Sequence, residues 1–241
     1  DRNSIGREKA GIFRSMRPAI CADPDPPATI AETASIVGAQ LLRSGQDFTY
    51  EATESGWSWR SGMTHYNRLP VPGNHSYQIQ NAAAVLMVLQ AISDFFPVSQ
   101  QVVFESLLNF RMPGRFQVIP AEVPCILDVA HNPQSAAMLA ANIKALPATG
   151  RVHLVLGMLK DKNHAAFMRE LLPCVDCWYV STLATTRGAL SSDLAGTLRL
   201  LDPQLDIVEF DEIASAILAA QLAAMPGDRI IVSGSFVTVG D

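Results

Sequence analysis

Apolar and polar positions change their rhythm once along the chain. From residue 123 onward, short apolar runs at 123–129, 152–158, 177–182, 205–210 and 230–236 alternate with helical patterns at 134–146, 164–172, 191–201 and 212–225. Strands that alternate with helices of that length predict a largely parallel sheet with helices on both faces, an α/β fold. The part before it is mixed. A helical segment at 4–13 ends at Gly11-Ile12, and a short strand at 17–21 is closed by Asp23-Pro24-Asp25-Pro26-Pro27. A helix is expected over 29–42, with Ile30, Ala34, Val37 and Leu41 on one face. Residues 48–69 alternate around Trp57 and Trp59 and read as a hairpin or small sheet. Helices follow at 80–93 and 99–110, and the turn Pro113-Gly114 ends this part. The natural division falls near Ile119-Pro120, giving domains 1–119 and 120–241.

Composition narrows the class. Hydrophobic residues make up 49% of 241 residues, and the net charge of −5 leaves no basic face for nucleic acid. No apolar run approaches the roughly 20 residues that cross a bilayer, and no signal-peptide pattern opens the chain. Four cysteines without regular spacing suit a reducing compartment. Cys174 and Cys177 form a C-x-x-C, but a zinc site needs two further ligands at suitable spacing, so structural thiols are expected. These features describe a soluble, cytoplasmic protein. The chain begins at Asp1 without an initiator Met and stops after a strand-like run; both ends read as cut, as in the later part of a longer protein.

The chemistry gathers where strands end. Cys125-Ile126-Leu127-Asp128 runs into Val129-Ala130-His131-Asn132-Pro133, in which Asn is a favoured N-cap and Pro suits the first helical position. A strand, tight turn and helix start place backbone amides beside Asp128 and His131, where a phosphorylated ligand can sit. Asp128 and His131 can equally be a capping acid and a partly buried ring. Lys160-Asp161-Lys162, Thr185-Thr186-Arg187-Gly188 and Ser233-Gly234-Ser235 end three other strands, so the loops share one rim. No G-x-G-x-x-G follows a strand, which argues against an ordinary dinucleotide fold. Arg111 and Arg115 bracket Met112-Pro113-Gly114; either guanidinium can grip phosphate oxygens or sit on the surface. Asn81, at a helix start, offers the donor and acceptor that an adenine edge requires, or is an ordinary N-cap. Lys9 reads locally as a solvated or salt-bridged lysine.

Taken in order, GREKAGIF, QIQNAAA, MPGRF, ILDVAHNP, VLGMLKDKN and IIVSGSFVTV resemble the dihydrofolate synthase/folylpolyglutamate synthase family of Mur-ligase-like enzymes. GREKAGIF with DVAHNP is most similar to the bacterial bifunctional members. The resemblance implies the end of a P-loop-type ATPase central domain over 1–119, then a Rossmann-like Mur ligase C-terminal domain over 120–241. It implies an ATP- and magnesium-dependent amide ligase that phosphorylates the carboxylate of dihydropteroate or a folate, after which the amine of L-glutamate displaces phosphate. Such chemistry needs neutralised charge and close positioning. By resemblance Lys9 is the carbamylated lysine, a catalytic group that helps hold magnesium. Asn81 is the adenine contact, Arg115 the phosphate contact and Asp128 the ribose contact. His131 is placed with the catalytic group and Ser235, in the terminal G-S-F, with the nucleotide contacts.

The departures set limits. The family's Gly-rich phosphate loop, its magnesium-binding Glu and the His before EKAG lie upstream of the matching part. Val237 stands where close relatives often carry His. The expectation is a fragment that does not catalyse alone, from a monomeric protein whose partners are small molecules. Two rivals remain: a Mur-type cell-wall amino-acid ligase, and a non-catalytic nucleotide-binding remnant.

Overall fold

The strand runs of the second half assemble as the alternation requires. In the computed structural model, which describes residues 1–53, 55–74, 78–146 and 150–240, the chain divides into Asp1–Arg111 and Met112–Asp241. The second unit holds a six-stranded sheet in the order β10-β9-β8-β11-β7-β6. Its strands are β6 (Gln117–Ile119), β7 (Cys125–Asp128), β8 (Val152–Leu156), β9 (Cys177–Ser181), β10 (Asp206–Phe210) and β11 (Arg229–Ser233). All neighbours pair in parallel except β6, which lies antiparallel on β7 with Val118 opposite Ile126. Side chains alternate between the faces. Ile126, Leu154, Trp178 and Ile231 bury against helices α5 (Pro133–Ala145), α6 (His164–Leu171) and α7 (Ser191–Leu201). Val155, Tyr179, Ile230 and Val232 bury against α8 (Ile213–Ala223). Both faces are thus covered, as an all-apolar parallel strand demands.

The first unit is built from smaller layers. Helix α1 (Arg2–Ala10) has Asp1 as its N-cap and buries Gly6 and Ala10, one turn apart, toward α2 (Ala28–Val37). Strands β1 (Pro18–Cys21) and β2 (Gln40–Arg43) form a two-stranded parallel pair. Strands β3 (Thr49–Thr53), β4 (Gly56–Ser61) and β5 (Thr64–Leu69) form an antiparallel sheet. Helices α3 (Gln78–Ala91) and α4 (Gln100–Leu108) complete the unit. The indole of Trp59 donates to the Ala83 carbonyl at 3.0 Å, pinning β4 to α3 beneath a core of Phe48, Trp57, Leu69 and Ile79.

Three expectations need correction. Helix 29–42 ends at Val37, because Gly38 adopts a left-handed conformation (φ 71°) and Leu41 then lies on β2. The division falls at Arg111/Met112 rather than near residue 119, because the turn at 113–114 and β6 join the second unit through β7. The last strand stops at Ser233 rather than reaching 236. Gly234 (φ 111°) lies so close to Gly157 that a Cβ there would sit 2.3 Å from its carbonyl oxygen, and α9 (Phe236–Gly240) follows. Among the described residues no group of three or more metal-binding side chains occurs. Burial raises both thiols of the C-x-x-C, Cys177 to about 11, which keeps them protonated.

At the amino-terminal end of the sheet, Asp228 is a buried tie. Its carboxylate accepts from the Arg151 amide at 2.7 Å, the Met225 amide at 2.9 Å and the His153 ring at 3.1 Å. The Met225 amide contributes most to holding this carboxyl below its ordinary value, followed by Arg151 and His153. A carboxyl lowered by folding stabilises fully above its unfolded value, about 3.9, and loses that contribution as pH falls through the folded one. Asp228→Ala should therefore lower stability by about 3 kcal/mol at neutral pH, because buried donors are left unmade. Urea unfolding at a series of pH values checks this: the difference between wild type and variant should shrink below about pH 4. A constant difference would mean that the carboxylate charge is not what Asp228 contributes.

Candidate functional site

The rim at the carboxyl ends of β7, β11 and β8 is a hydrogen-bonded lattice. Asp128, Ser233 and Leu156 are register partners at its edge. Asp128 is 7% exposed, and both its oxygens are engaged: Oδ2 accepts from the Phe116 amide at 2.9 Å and Oδ1 from the Ala130 amide at 2.8 Å. Phe116 is a bulky residue in left-handed backbone (φ 47°). Such a conformation persists only where surroundings enforce it; here a carboxylate takes the amide while the ring is buried in the core. The Gly114 carbonyl accepts from the Val129 amide at 2.8 Å, so the 112–116 turn is fastened to the strand end twice. The Ala130 carbonyl in turn accepts from the Gly234 amide at 3.0 Å, which ties in the end of β11.

The helix start forms as the Asn-Pro pair dictates. Asn132 Oδ1 accepts from the Ser135 amide at 2.9 Å, and the Ser135 hydroxyl closes a capping box with Pro133 at the first turn. His131 donates through Nδ1 to the Val129 carbonyl at 2.9 Å; a carbonyl only accepts, so Nδ1 carries a proton. Its ring lies 6.0 Å from that of Phe236. The Arg115 guanidinium lies over the same Phe236 ring, 5.9 Å from its centroid. One rim therefore carries Arg115, Asp128 and His131.

The neighbouring loops are laced to each other. Lys160 Nζ donates to the Thr186 carbonyl at 2.7 Å, and Arg187 pairs with Asp161 at 2.9 Å. The Arg187 guanidinium is the main reason that the Asp161 carboxyl sits below its ordinary value.

Other anticipated residues are placed differently. Ser235 is 4% exposed, and its hydroxyl accepts from the Thr238 amide at 2.9 Å, so it caps α9. Lys9 and Asn81 belong to the first unit. Lys9, 71% exposed, pairs with Glu8 at 2.9 Å; its neighbour Ala10 takes the buried face of α1. Asn81 lies exposed in the first turn of α3 and donates to Gln78 Oε1 at 3.0 Å. Two contributors escaped the sequence reading, Phe116 and Phe236. The signal for both was adjacency: each directly follows a motif residue, Arg115 or Ser235.

The fold and rim of the second unit define a Mur ligase domain. The sequence model described as "Mur ligase, glutamate ligase domain" matches residues 114–236. The chain belongs to the Mur ligase family. It is 40% identical to the dihydrofolate synthase/folylpolyglutamate synthase of Escherichia coli (strain K12) over 99% of its length and 54% of that protein's. The Haemophilus influenzae protein of the same name is 30% identical over 100% of this chain and 58% of its own. The solved structure of E. coli FolC in complex with DHPP and ADP superposes with a TM-score of 0.89 at 40% identity, covering 99% of this chain and 55% of that one. A bifunctional folylpolyglutamate synthase/dihydrofolate synthase with Mn, AMPPNP and L-glutamate bound gives 0.88 at 38% identity, covering 99% and 55%. The chain spans about half the length of the curated relatives it matches.

Asp128→Ala should lower stability by about 3 kcal/mol, since two amides lose a charged acceptor and Phe116 loses the bond that holds its backbone. Thermal and urea unfolding measure this. A variant of wild-type stability would show that the Phe116 turn is held by its buried ring alone.

Proposed function

We propose that these residues work within a longer ATP-dependent ligase that adds L-glutamate to dihydropteroate, to the γ-glutamyl tail of folates, or to both. The gathering of Arg115, Asp128 and His131 at one rim, in a chain 40% identical to a dihydrofolate synthase/folylpolyglutamate synthase, carries this reading. In it, ATP phosphorylates the substrate carboxylate, glutamate nitrogen attacks the acyl phosphate, and inorganic phosphate leaves. Arg115 binds and neutralises phosphate oxygens through its planar fork of N–H donors. Asp128 faces the ribose while fixing the turn that bears Arg115. His131, with a proton on Nδ1, presents its ring at the rim. Asn81 reads the adenine edge, and Ser235 contributes by holding the end of β11 in place.

Magnesium needs several hard oxygen ligands. No cluster able to hold a metal occurs among the described residues, and Lys9 stands exposed beside Glu8. The described residues therefore do not by themselves complete a site for the ion. In the longer protein, carbamylation of Lys9 would give it the oxygen ligand that an amine lacks. The two-stranded parallel pair β1-β2 supports the same reading, because parallel strands occur almost wholly within larger, covered sheets. A Mur-type cell-wall ligase or a non-catalytic remnant is less favoured, since the similar proteins bear folate-ligase names. Among the described residues no helix is long and apolar enough to cross a membrane; a monomer in the cytoplasm completes the reading.

Phosphate release by the full-length protein, supplied with ATP, glutamate and either dihydropteroate or tetrahydrofolate, tests the proposal. Release should depend on all three substrates; none with either pterin would overturn it. Lys9→Ala should abolish release, whereas near-normal turnover would remove the lysine from the mechanism. The 241-residue chain alone should release little or no phosphate.

A further inference from the structure

Phe236 leaves 64% of its surface exposed at the rim, yet its place is fixed from below. The residue opens α9, whose start is clamped three ways. Ser235 Oγ accepts from the Thr238 amide at 2.9 Å, Thr238 Oγ1 donates to the Gly157 carbonyl at 2.6 Å, and the Gly234 amide donates to the Ala130 carbonyl at 3.0 Å. A ring on so rigid a base can orient whatever rests on it. What rests on it is the Arg115 guanidinium, 5.9 Å from the ring centroid, with the His131 ring 6.0 Å away at 46°.

The chemistry of this contact differs from that of an ion pair. A carboxylate would occupy the N–H edge of a guanidinium and cancel its charge. An aromatic ring forms no ion pair with it and leaves its charge available. The contact that the structure shows for the Arg115 guanidinium is the one with this ring. A free arginine side chain samples many rotamers, and restricting it beforehand lowers the entropy lost when an anion binds.

We propose that Phe236 is a positioning residue for phosphate recognition. Its ring holds the Arg115 guanidinium so that its N–H donors meet the phosphate oxygens of the nucleotide. This rests on the reading of Arg115 as a phosphate-binding group. The ring acts through Arg115 and touches no reacting atom itself.

The test compares Phe236→Leu, which keeps an apolar side chain at an exposed position, with Phe236→Tyr, which keeps the ring, in the full-length protein. Phe236→Leu should raise the apparent KM for ATP roughly two- to five-fold, the size of an exposed cation–π contact, with a smaller change in kcat. Phe236→Tyr should restore the wild-type value, and in an Arg115→Ala background Phe236→Leu should add nothing. A second measurement does not depend on turnover: phenylglyoxal labelling of Arg115, followed by mass spectrometry, should be faster in Phe236→Leu than in wild type or Phe236→Tyr. Equal labelling rates, or an equal KM effect without Arg115, would overturn the positioning role. A wild-type protein that releases no phosphate would instead overturn the ligase reading, while the labelling still decides the role of Phe236.

Discussion

The Asp128 carboxylate is the constraint on which the rim depends. Its two oxygens hold amides from segments on either side, Phe116 in the turn before β7 and Ala130 in the turn after it. Charge-assisted bonds of this kind are stronger than neutral ones, and burial strengthens them further. They are strong enough to keep a buried phenylalanine in left-handed backbone. Because Phe116 follows Arg115, the same bond fixes where the arginine leaves the chain. Because Ala130 also accepts from Gly234, it fixes where β11 ends and where Phe236 begins.

A functional consequence follows from this economy of bonds. Family resemblance gives Asp128 a ribose, yet the isolated geometry gives it two backbone amides. In the proposed reading one buried acid joins ligand contact to construction of the site. Arg115 and His131 are held by different means, a ring face for one and a backbone carbonyl for the other. Both lie at the rim, where parallel sheets bind ligands outside their carboxyl ends.

Much of this was legible in the sequence because the signals were long or redundant. Five apolar runs alternating with helices left one architecture, and Asn132-Pro133 marked a helix start to the residue. What escaped was short or tertiary in origin. β6 has three residues, all exposed, and no periodicity can identify so brief an edge strand. α9 hides in Val237-Thr238-Val239, whose β-branched residues favour strands; a serine cap and the turn at Gly234 override that preference. The overrun of α2 came from counting Leu41 as a helical position across Gly38, which was the stop. At the site, Asp128 and His131 stood out by their place after a strand, whereas Phe116 and Phe236 looked like ordinary apolar residues. Their roles arise from what touches them, and no local pattern encodes that. Lys9 shows the reverse case: the motif is plain, but the side chain stands exposed beside Glu8.

Hydrogen–deuterium exchange of the full-length protein, with and without ADP and magnesium, tests most directly whether this rim is the nucleotide-binding face of the second unit. Within the second unit, slower exchange confined to residues 112–117, 128–135 and 233–238 is the expected result. Unchanged exchange in those three segments, with protection instead at the opposite end of the sheet around Asp176 and Asp228, would contradict it.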